Sequence, residues 1–280
     1  MIYNKKEWRK KEMKNTGRVV LITGDSSGFG LQMAKLFLAN GDSVCGFSNQ
    51  DKGLEEVYHQ VGDVSSSDSC KDAVDNVIKK YGHIDVLIND AGFGIFGPVE
   101  ETEPNRAREL IEVNFRGYFY RAKACLPYRR ENGGGRIINV SSIAAVVPLP
   151  FQAFYSAGKA ARESLFDSLR PEVRPYNILI SHIRPGDAKT GFTANRIKES
   201  RDKNSPYCAA FCKCLKQVEK DETTGVEAIC IASAAFKTAN KKHPRYVVSV
   251  GRKDRFLSGL YHSLPRRRRN YLLYKVYAEK

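Results

Sequence analysis

Tyr155 and Lys159 stand four residues apart in the run SSIAAVVPLPFQAFYSAGK, residues 141–159, so on a helix they share one face. An ammonium held beside a phenol lowers the phenol's pKa from its reference of about 10, which suits it to proton transfer near neutral pH. Ser142 lies 13 residues before Tyr155, at the end of the apolar run 136–140, where its hydroxyl could bond the same substrate oxygen. Such a trio polarises a carbonyl while hydride reaches its carbon. Tyr-x-x-x-Lys by itself is common on solvated helix faces, so the surrounding sequence has to carry the assignment.

The elements that would position these groups begin at the front of the chain. Arg18-Val-Val-Leu-Ile-Thr23 is a short β-branched run of the kind that makes a buried parallel strand, and it leads into Gly24-Asp-Ser-Ser-Gly28-Phe-Gly30. Leu31, Ala34, Leu36, Phe37 and Leu38 then follow in helical spacing up to Asn40-Gly41. Strand, glycine loop and helix N-terminus together make an anion site, because backbone N–H groups and the helix dipole face a closely approaching pyrophosphate. The spacing is G-x-x-x-G-x-G and departs from the more general G-x-G-x-x-G fingerprint. Gly24, Ser26 and Gly28 also spell the G-x-S-x-G elbow of serine hydrolases. That reading would nominate His243 and leave Tyr155 and Lys159 unexplained, so it is set aside.

Apolar runs at 18–23, 43–47, 57–61, 84–88, 136–140, 178–183 and 245–249 alternate with helical patterns. This rhythm predicts one α/β domain, a doubly wound parallel sheet of Rossmann type, with ligands at the carboxyl ends of its strands. The motif residues fall at those ends. The expected organisation is a basic N-terminal arm over 1–16, a dinucleotide-binding catalytic domain over 17–250 with a substrate lid at about 187–222, and a basic aromatic tail over 251–280. No internal repeat or low-complexity block is present.

Taken together, Thr23-Gly24-x-x-x-Gly28-x-Gly30, Asn89-Asp90-Ala91-Gly92, Asn114, Ser142, Tyr155-x-x-x-Lys159 and Pro185-Gly186-x-x-x-Thr190 resemble the short-chain dehydrogenases/reductases in order and spacing over residues 17–250. The resemblance implies that Tyr155 is the acid/base, that Ser142 stabilises the substrate oxygen, and that Lys159 binds the nicotinamide ribose and tunes the tyrosine. It further implies that Asn114 holds a helix kink and a proton-relay water. On the cofactor, Gly24, Ser26, Ser27, Gly28 and the Phe29-Gly30 turn would follow the pyrophosphate, Ser48 and Asn49 would meet the adenosine ribose, and Asp63 and Val64 the adenine. Asn89, Ala91 and Gly92 would line the central channel, Tyr155 and Lys159 the nicotinamide ribose, and Pro185, Gly186 and Thr190 the carboxamide. The chain departs from the family at Asp90, where an asparagine is usual, and this is read as mild variation. It departs also between Asn49 and Asp63, a stretch too short for a crossover helix plus a strand, so a turn around Asp51-Lys-Gly53 is expected there. That shortening resembles a branch acting on steroid-like, retinoid-like and other lipophilic alcohols.

An acid at the end of the second strand would select NAD and a basic residue NADP. This strand ends in Ser48-Asn49, without either charge, and the missing carboxylate favours NADP, with NAD as the alternative. The expected activity is hydride transfer between that cofactor and a secondary alcohol or ketone, a hydroxysteroid or similar lipophile. The alternatives are a reductase of 3-oxoacyl or small carbonyl compounds, and a non-catalytic nucleotide-binding scaffold or sensor, which would not need a tuned tyrosine. Phe192, Tyr207, Phe211 and Leu215 in the lid, facing Ile95, Phe96 and 147–151, offer apolar surface for such a substrate.

Composition bounds the rest. The 280 residues suit one sizeable domain, and seven cysteines without a secretory leader or membrane-spanning run point to a reducing cytoplasm. Cys208, Cys212 and Cys214 have no nearby histidine and share core-like helical spacing with Phe211 and Val218, so no metal is expected. The net charge of +15 gathers at the ends, at Lys5, Lys6, Arg9, Lys10, Lys11 and Lys14 and at Arg266 to Arg269. It is read as solvated charge, with no nucleic-acid partner. Phe256, Leu257, Leu260, Tyr261, Leu264 and Tyr271 to Tyr274 give the tail an amphipathic pattern suited to packing, to covering the substrate mouth, or to weak contact with an anionic membrane surface. The family resemblance adds an expectation of a homo-oligomer.

Overall fold

All five residues of β1 (Val19–Thr23) are buried, because this strand lies at the centre of a sheet covered on both faces. The computed structural model describes residues 17–192, 196–198, 204–251, 259, 261 and 263–279. The N-terminal arm with Trp8, and Phe256, Leu257 and Leu260 of the tail, lie outside the described residues. Successive side chains of β1 point to opposite faces. Val19 and Leu21 join a core with Phe47, Val74, Leu87, Tyr118, Ile137 and Phe166, while Val20 and Ile22 join one with Phe37, Ile88, Ile138, Ile231 and Ala235.

The other elements follow in chain order: α1 (Gly28–Leu38), β2 (Ser43–Ser48), β3 (Tyr58–Val61), α2 (Ser67–Tyr81), β4 (Val86–Asn89), β5 (Ile95–Phe96), α3 (Pro104–Ile111), α4 (Gly117–Glu131) and β6 (Gly135–Val140). Then come α5 (Ala153–Val173), β7 (Ile178–Pro185), β8 (Ala188–Lys189), β9 (Ile197–Lys198), α6 (Cys208–Thr224), β10 (Val226–Glu227), α7 (Ala228–Asn240), β11 (Val247–Val250) and α8 (Arg266–Leu273). Among the described residues the main sheet has seven strands, all parallel, in the order β3-β2-β1-β4-β6-β7-β11. Helices α2, α4 and α5 cover one face, and α1 and α7 the other. The expected doubly wound Rossmann-type sheet is therefore present, each strand within about two residues of its apolar run. Strand order reverses between β1 and β4, and a crevice opens there at the carboxyl ends.

Local chemistry explains the helix limits. Ser66 caps α2 by accepting from the Ser69 N–H at 3.2 Å, Asp68 sits in the first turn, Lys79 and Lys80 in the last, and Gly82 closes it at φ +80°. The β2–β3 connection holds bends at 49–51 and a turn at 55–56 in place of a crossover helix, as its length required. Two short strand pairs were not anticipated: β5 with β9, and β8 with β10, which tie the lid segment to the domain. The tail helix α8 runs into a π-helical turn, Tyr274–Ala278, that packs on α6. There Tyr277 meets the cluster of Phe96, Phe211 and Cys214, and Lys213 Nζ donates to the Glu279 carbonyl at 2.7 Å. Among the described residues no helix is long and apolar enough to cross a membrane.

Candidate active site

A cleft of about 850 Å³ opens at the carboxyl ends of the strands, on either side of the β1–β4 switch point. Its floor at one end is the glycine loop. Gly24 and Gly28 take φ of +73° and +53°, and a Cβ on Gly28 would project into open space. Gly30 closes the turn from below, since a Cβ there would stand 2.2 Å from the Gly24 carbonyl oxygen. Ser27 caps α1 in extended conformation without a side-chain cap bond, and no acidic residue occupies the first turn of that helix. The first N–H groups and the positive end of the helix dipole are thus turned toward the cleft, as a pyrophosphate requires. These residues fit a dinucleotide.

Beyond the loop, Ser48, Asn49 and Gln50 from the end of β2 line one end, together with Asp63 and Val64. The Asp63 carboxylate is held by Ser65, accepting from its N–H at 2.8 Å and its hydroxyl at 2.7 Å. Ala91, Gly92, Pro185, Gly186 and Thr190 also line the cleft. Three residues expected at the site stand behind it: Gly30, Asn89 and Asn114 are outside the lining. Asn89, expected to line the channel, is fully buried in the core, its amide donating to Asn139 Oδ1 at 2.9 Å and accepting from Arg121 Nε at 2.7 Å. Its hydrogen-bonding capacity is spent on tying β4 to β6 and α4. Asn114 lies in the π-helical turn Glu112–Arg116 that joins α3 to α4. Its Nδ2 donates to the Phe93 carbonyl at 2.7 Å and its Oδ1 accepts from the Phe93 N–H at 3.1 Å, so it holds the loop after β4 against the kinked helix.

Ser142, Tyr155 and Lys159 do converge in the cleft. Ser142 follows β6 and caps a short 3₁₀ turn, Oγ accepting from the Ala144 N–H at 3.1 Å, and its hydroxyl is among the groups that pull the Tyr155 phenol down. Tyr155 and Lys159 share the inward face of α5, with Lys159 Nζ 5.3 Å from the Tyr155 ring centre. The Val140 carbonyl accepts from both Lys159 Nζ at 3.2 Å and Arg162 Nη2 at 2.9 Å.

The sequence that brings this strand-loop-helix cradle and a Ser-Tyr-Lys trio into one cleft matches a family model, short chain dehydrogenase, over residues 18–201. The chain is a member of the short-chain dehydrogenase family. It is an NAD(P)-dependent oxidoreductase of that family. The dehydrogenase is 39% identical over 236 residues to a 3-ketodihydrosphingosine reductase of Bacteroides thetaiotaomicron, a match covering 84% of this chain and 88% of the relative. It is 33% identical over 194 residues to 11-beta-hydroxysteroid dehydrogenase A of Sesamum indicum, covering 65% of this chain and 55% of that one. A crystal structure of a short-chain dehydrogenase from Streptomyces avermitilis superposes with a TM-score of 0.80 at 26% identity, over 93% of this chain and 96% of the other.

In one respect the dehydrogenase differs from what Tyr-x-x-x-Lys spacing suggested. Burial pushes the Tyr155 phenol up to about 12, against smaller opposing pulls from Ser142, Arg162 and Arg196. Lys159 is not among the groups pulling it down. Burial and then the Arg162 charge hold the Lys159 amine well below its ordinary range. Four-residue spacing places the pair on one face, but both groups lose their water together, and desolvation outweighs the attraction the spacing predicts.

Several site residues gave no signal in the sequence. Asp90, read as mild variation, lines the cleft; burial raises its carboxyl, while Lys159, the Gly30 N–H and Arg162 pull it back. A carboxylate where the family carries an amide was the available clue. Arg196 and Glu222, from the lid, meet in a buried ion pair beside the trio, the Arg196 guanidinium lying 5.4 Å from the Phe192 ring centre and 5.7 Å from that of Phe96. Of the apolar residues expected to line the substrate side, Leu149 and Phe192 do so, the Phe192 ring 5.5 Å from that of Tyr155. Phe96, Phe151 and Phe211 instead pack on one another with ring centres 5.3–6.0 Å apart, and Tyr207 bonds Glu100. Among the described residues no cluster of three ligating side chains converges, and Cys214 is buried in the apolar cluster.

Proposed function

We propose that this dehydrogenase reduces a ketone on a long lipophilic molecule, with NADPH as the favoured reductant. The observation that carries the reading is the convergence of the Ser142 and Tyr155 hydroxyls in one cleft with the glycine cradle and with Phe93, Leu149, Phe192 and Val218. A ketone oxygen lying against these two hydroxyls would accept from both, with its carbon turned toward Pro185, Gly186 and Thr190, where a nicotinamide would lie. A bound nicotinamide supplies the hydride to that carbon. As the carbonyl electron pair moves onto oxygen, Tyr155 gives up its O–H proton there, and Ser142 holds the developing charge. Burial keeps the Tyr155 phenol protonated at neutral pH, which supports the reducing direction. Asn114 and Lys159 act around this pair, Asn114 by fixing the Phe93 loop and Lys159 at the nicotinamide ribose. Ser48 and Asn49, without a carboxylate between them, support NADP(H).

Similarity to the 3-ketodihydrosphingosine reductase supports a long-chain 3-ketone as substrate. A hydroxysteroid is the second reading, supported by the sesame relative. The tail fits a substrate drawn from lipid: Arg266, Arg267 and Arg268 are exposed on α8, as are Tyr271 and Leu272, with Tyr274 and Val276 beyond. We read this exposed basic and aromatic segment as contacting an anionic membrane surface.

The test is turnover with NADPH and NADH on a long-chain 3-ketoamine, an oxosteroid and a 3-oxoacyl thioester. Turnover of the ketoamine with NADPH, reduced 10²- to 10⁴-fold by Tyr155→Phe on the order usual for a general acid, is expected. Full activity in Tyr155→Phe would overturn the mechanism, and preference for the thioester would overturn the substrate class.

A further inference from the structure

An ion pair, Arg196 from the lid with Glu222 from α6, lines the same cleft as the apolar residues Phe93, Leu149, Phe192 and Val218. Several elements build it. The Ile197 N–H donates to the Gly94 carbonyl at 3.0 Å and Ile197 pairs with Ile95, which fixes β9 on β5 and sets Arg196 beside Gly94. Gly94 leaves the room, since a Cβ there would fall 2.8 Å from the Phe192 ring and 3.6 Å from Arg196 Cγ. The guanidinium lies against the Phe96 and Phe192 rings and reaches Glu222 through Nη2. Phe192 stands in turn against Tyr155, so one aromatic ring separates the ion pair from the hydroxyl at which the ketone reacts.

The two partners meet different surroundings. The Arg196 side chain is 1% exposed, and its Nε and Nη1 bond no group among the described residues, so its hydrogen bonding goes to Glu222. The Glu222 side chain is 14% exposed and stands one turn after Val218 on α6, both of them lining the cleft. A carboxylate offers about four acceptor positions, so the bond from Arg196 leaves it able to accept from a bound molecule. Burying two charges costs desolvation, and for a purely lipophilic ligand a packed apolar pair would serve at least as well. Lys159 apart, Arg196 is the one basic side chain among the described lining residues, so an anionic head group would find no further cation there.

We propose that Glu222, held in place by Arg196, accepts from the ammonium of an amine carried beside the reacting ketone, and so selects amino ketones over plain ketones. Glu222 is the specificity-determining residue and Arg196 a positioning residue. The inference rests on the reading of this dehydrogenase as a reductase of lipophilic ketones, and within that reading it favours the ketoamine over the oxosteroid, which has no cation to offer.

The test is kcat and KM with NADPH on a long-chain 2-amino-3-ketone and on the same chain as a plain 3-ketone, in wild type, Glu222→Gln, Arg196→Met and Arg196→Lys. Wild type is expected to prefer the amino ketone at least about tenfold in kcat/KM, as one charge-assisted contact allows. Glu222→Gln, which keeps the shape and removes the charge, should lose about tenfold of that preference through a higher KM for the amino ketone. Arg196→Met should lose it likewise, and Arg196→Lys, which keeps a cation beside the carboxylate, should retain most of it. Equal losses on both ketones would mean that the pair only holds the lid, and an unchanged preference in Glu222→Gln would remove it from selection; either result overturns the proposal. Wild type that reduces both ketones alike overturns this inference and leaves the reductase reading standing, whereas wild type that reduces neither overturns both. The NADPH dissociation constant of each variant, read by nucleotide fluorescence, reports that the cofactor cradle has folded, so a folding defect is not mistaken for lost selectivity.

Discussion

The Tyr155 phenol offers the sharpest check on the physical argument, because spacing and burial predict opposite outcomes for it. Burial pushes it up to about 12. From a reference of about 10, that displacement corresponds to on the order of 3 kcal/mol against the phenolate in the folded protein. The sign follows directly. The folded state holds the proton more tightly than the unfolded chain, so the contribution is fully present below about pH 10 and is lost as pH rises from about 10 to about 12. Tyrosinate absorbance of the wild-type protein minus that of Tyr155→Phe isolates the one phenol among 14 tyrosines. The difference is expected to rise near pH 12, and denaturant unfolding should show wild type losing more stability than Tyr155→Phe between pH 9 and the alkaline limit. A difference titration centred at or below 10 would overturn this account, because the Lys159 amine would then outweigh desolvation of the phenol.

Gly30→Ala forces a Cβ against the Gly24 carbonyl at 2.2 Å, backbone that cannot rotate away. It is expected to cost about 1–3 kcal/mol of stability and to weaken NADPH at least about tenfold, read by thermal melting and nucleotide titration; unchanged affinity would show that the loop tolerates displacement. Replacing Arg266, Arg267 and Arg268 together by Ala should weaken binding to phosphatidylserine vesicles by about 3 kcal/mol, at about 1 kcal/mol per basic residue near the surface. Equal binding to neutral vesicles, or no loss in the variant, would assign the tail to packing on α6 alone.

What the sequence determined by itself is the local part of this protein. β-branched runs bounded by glycine set the seven main strands, and motif order placed the glycine cradle and the Ser142, Tyr155 and Lys159 trio at the ends of those strands. These signals are legible because strand period, turn chemistry and helix spacing act over a few residues. Even the missing crossover helix between β2 and β3 could be read from chain length alone. Tertiary structure decided the rest, through burial and through contacts between distant segments. It sent Asn89 into the core on Arg121 and Asn139, 32 and 50 residues away, and brought Arg196 and Glu222 into the cleft from the lid. It paired Asp25 with His59, 34 residues on, in space left by Gly46 and Gly53. It also turned the expected lowering of the Tyr155 phenol into a rise, because the proton affinity of a group depends on how much water it loses, and that loss is a property of the packed whole.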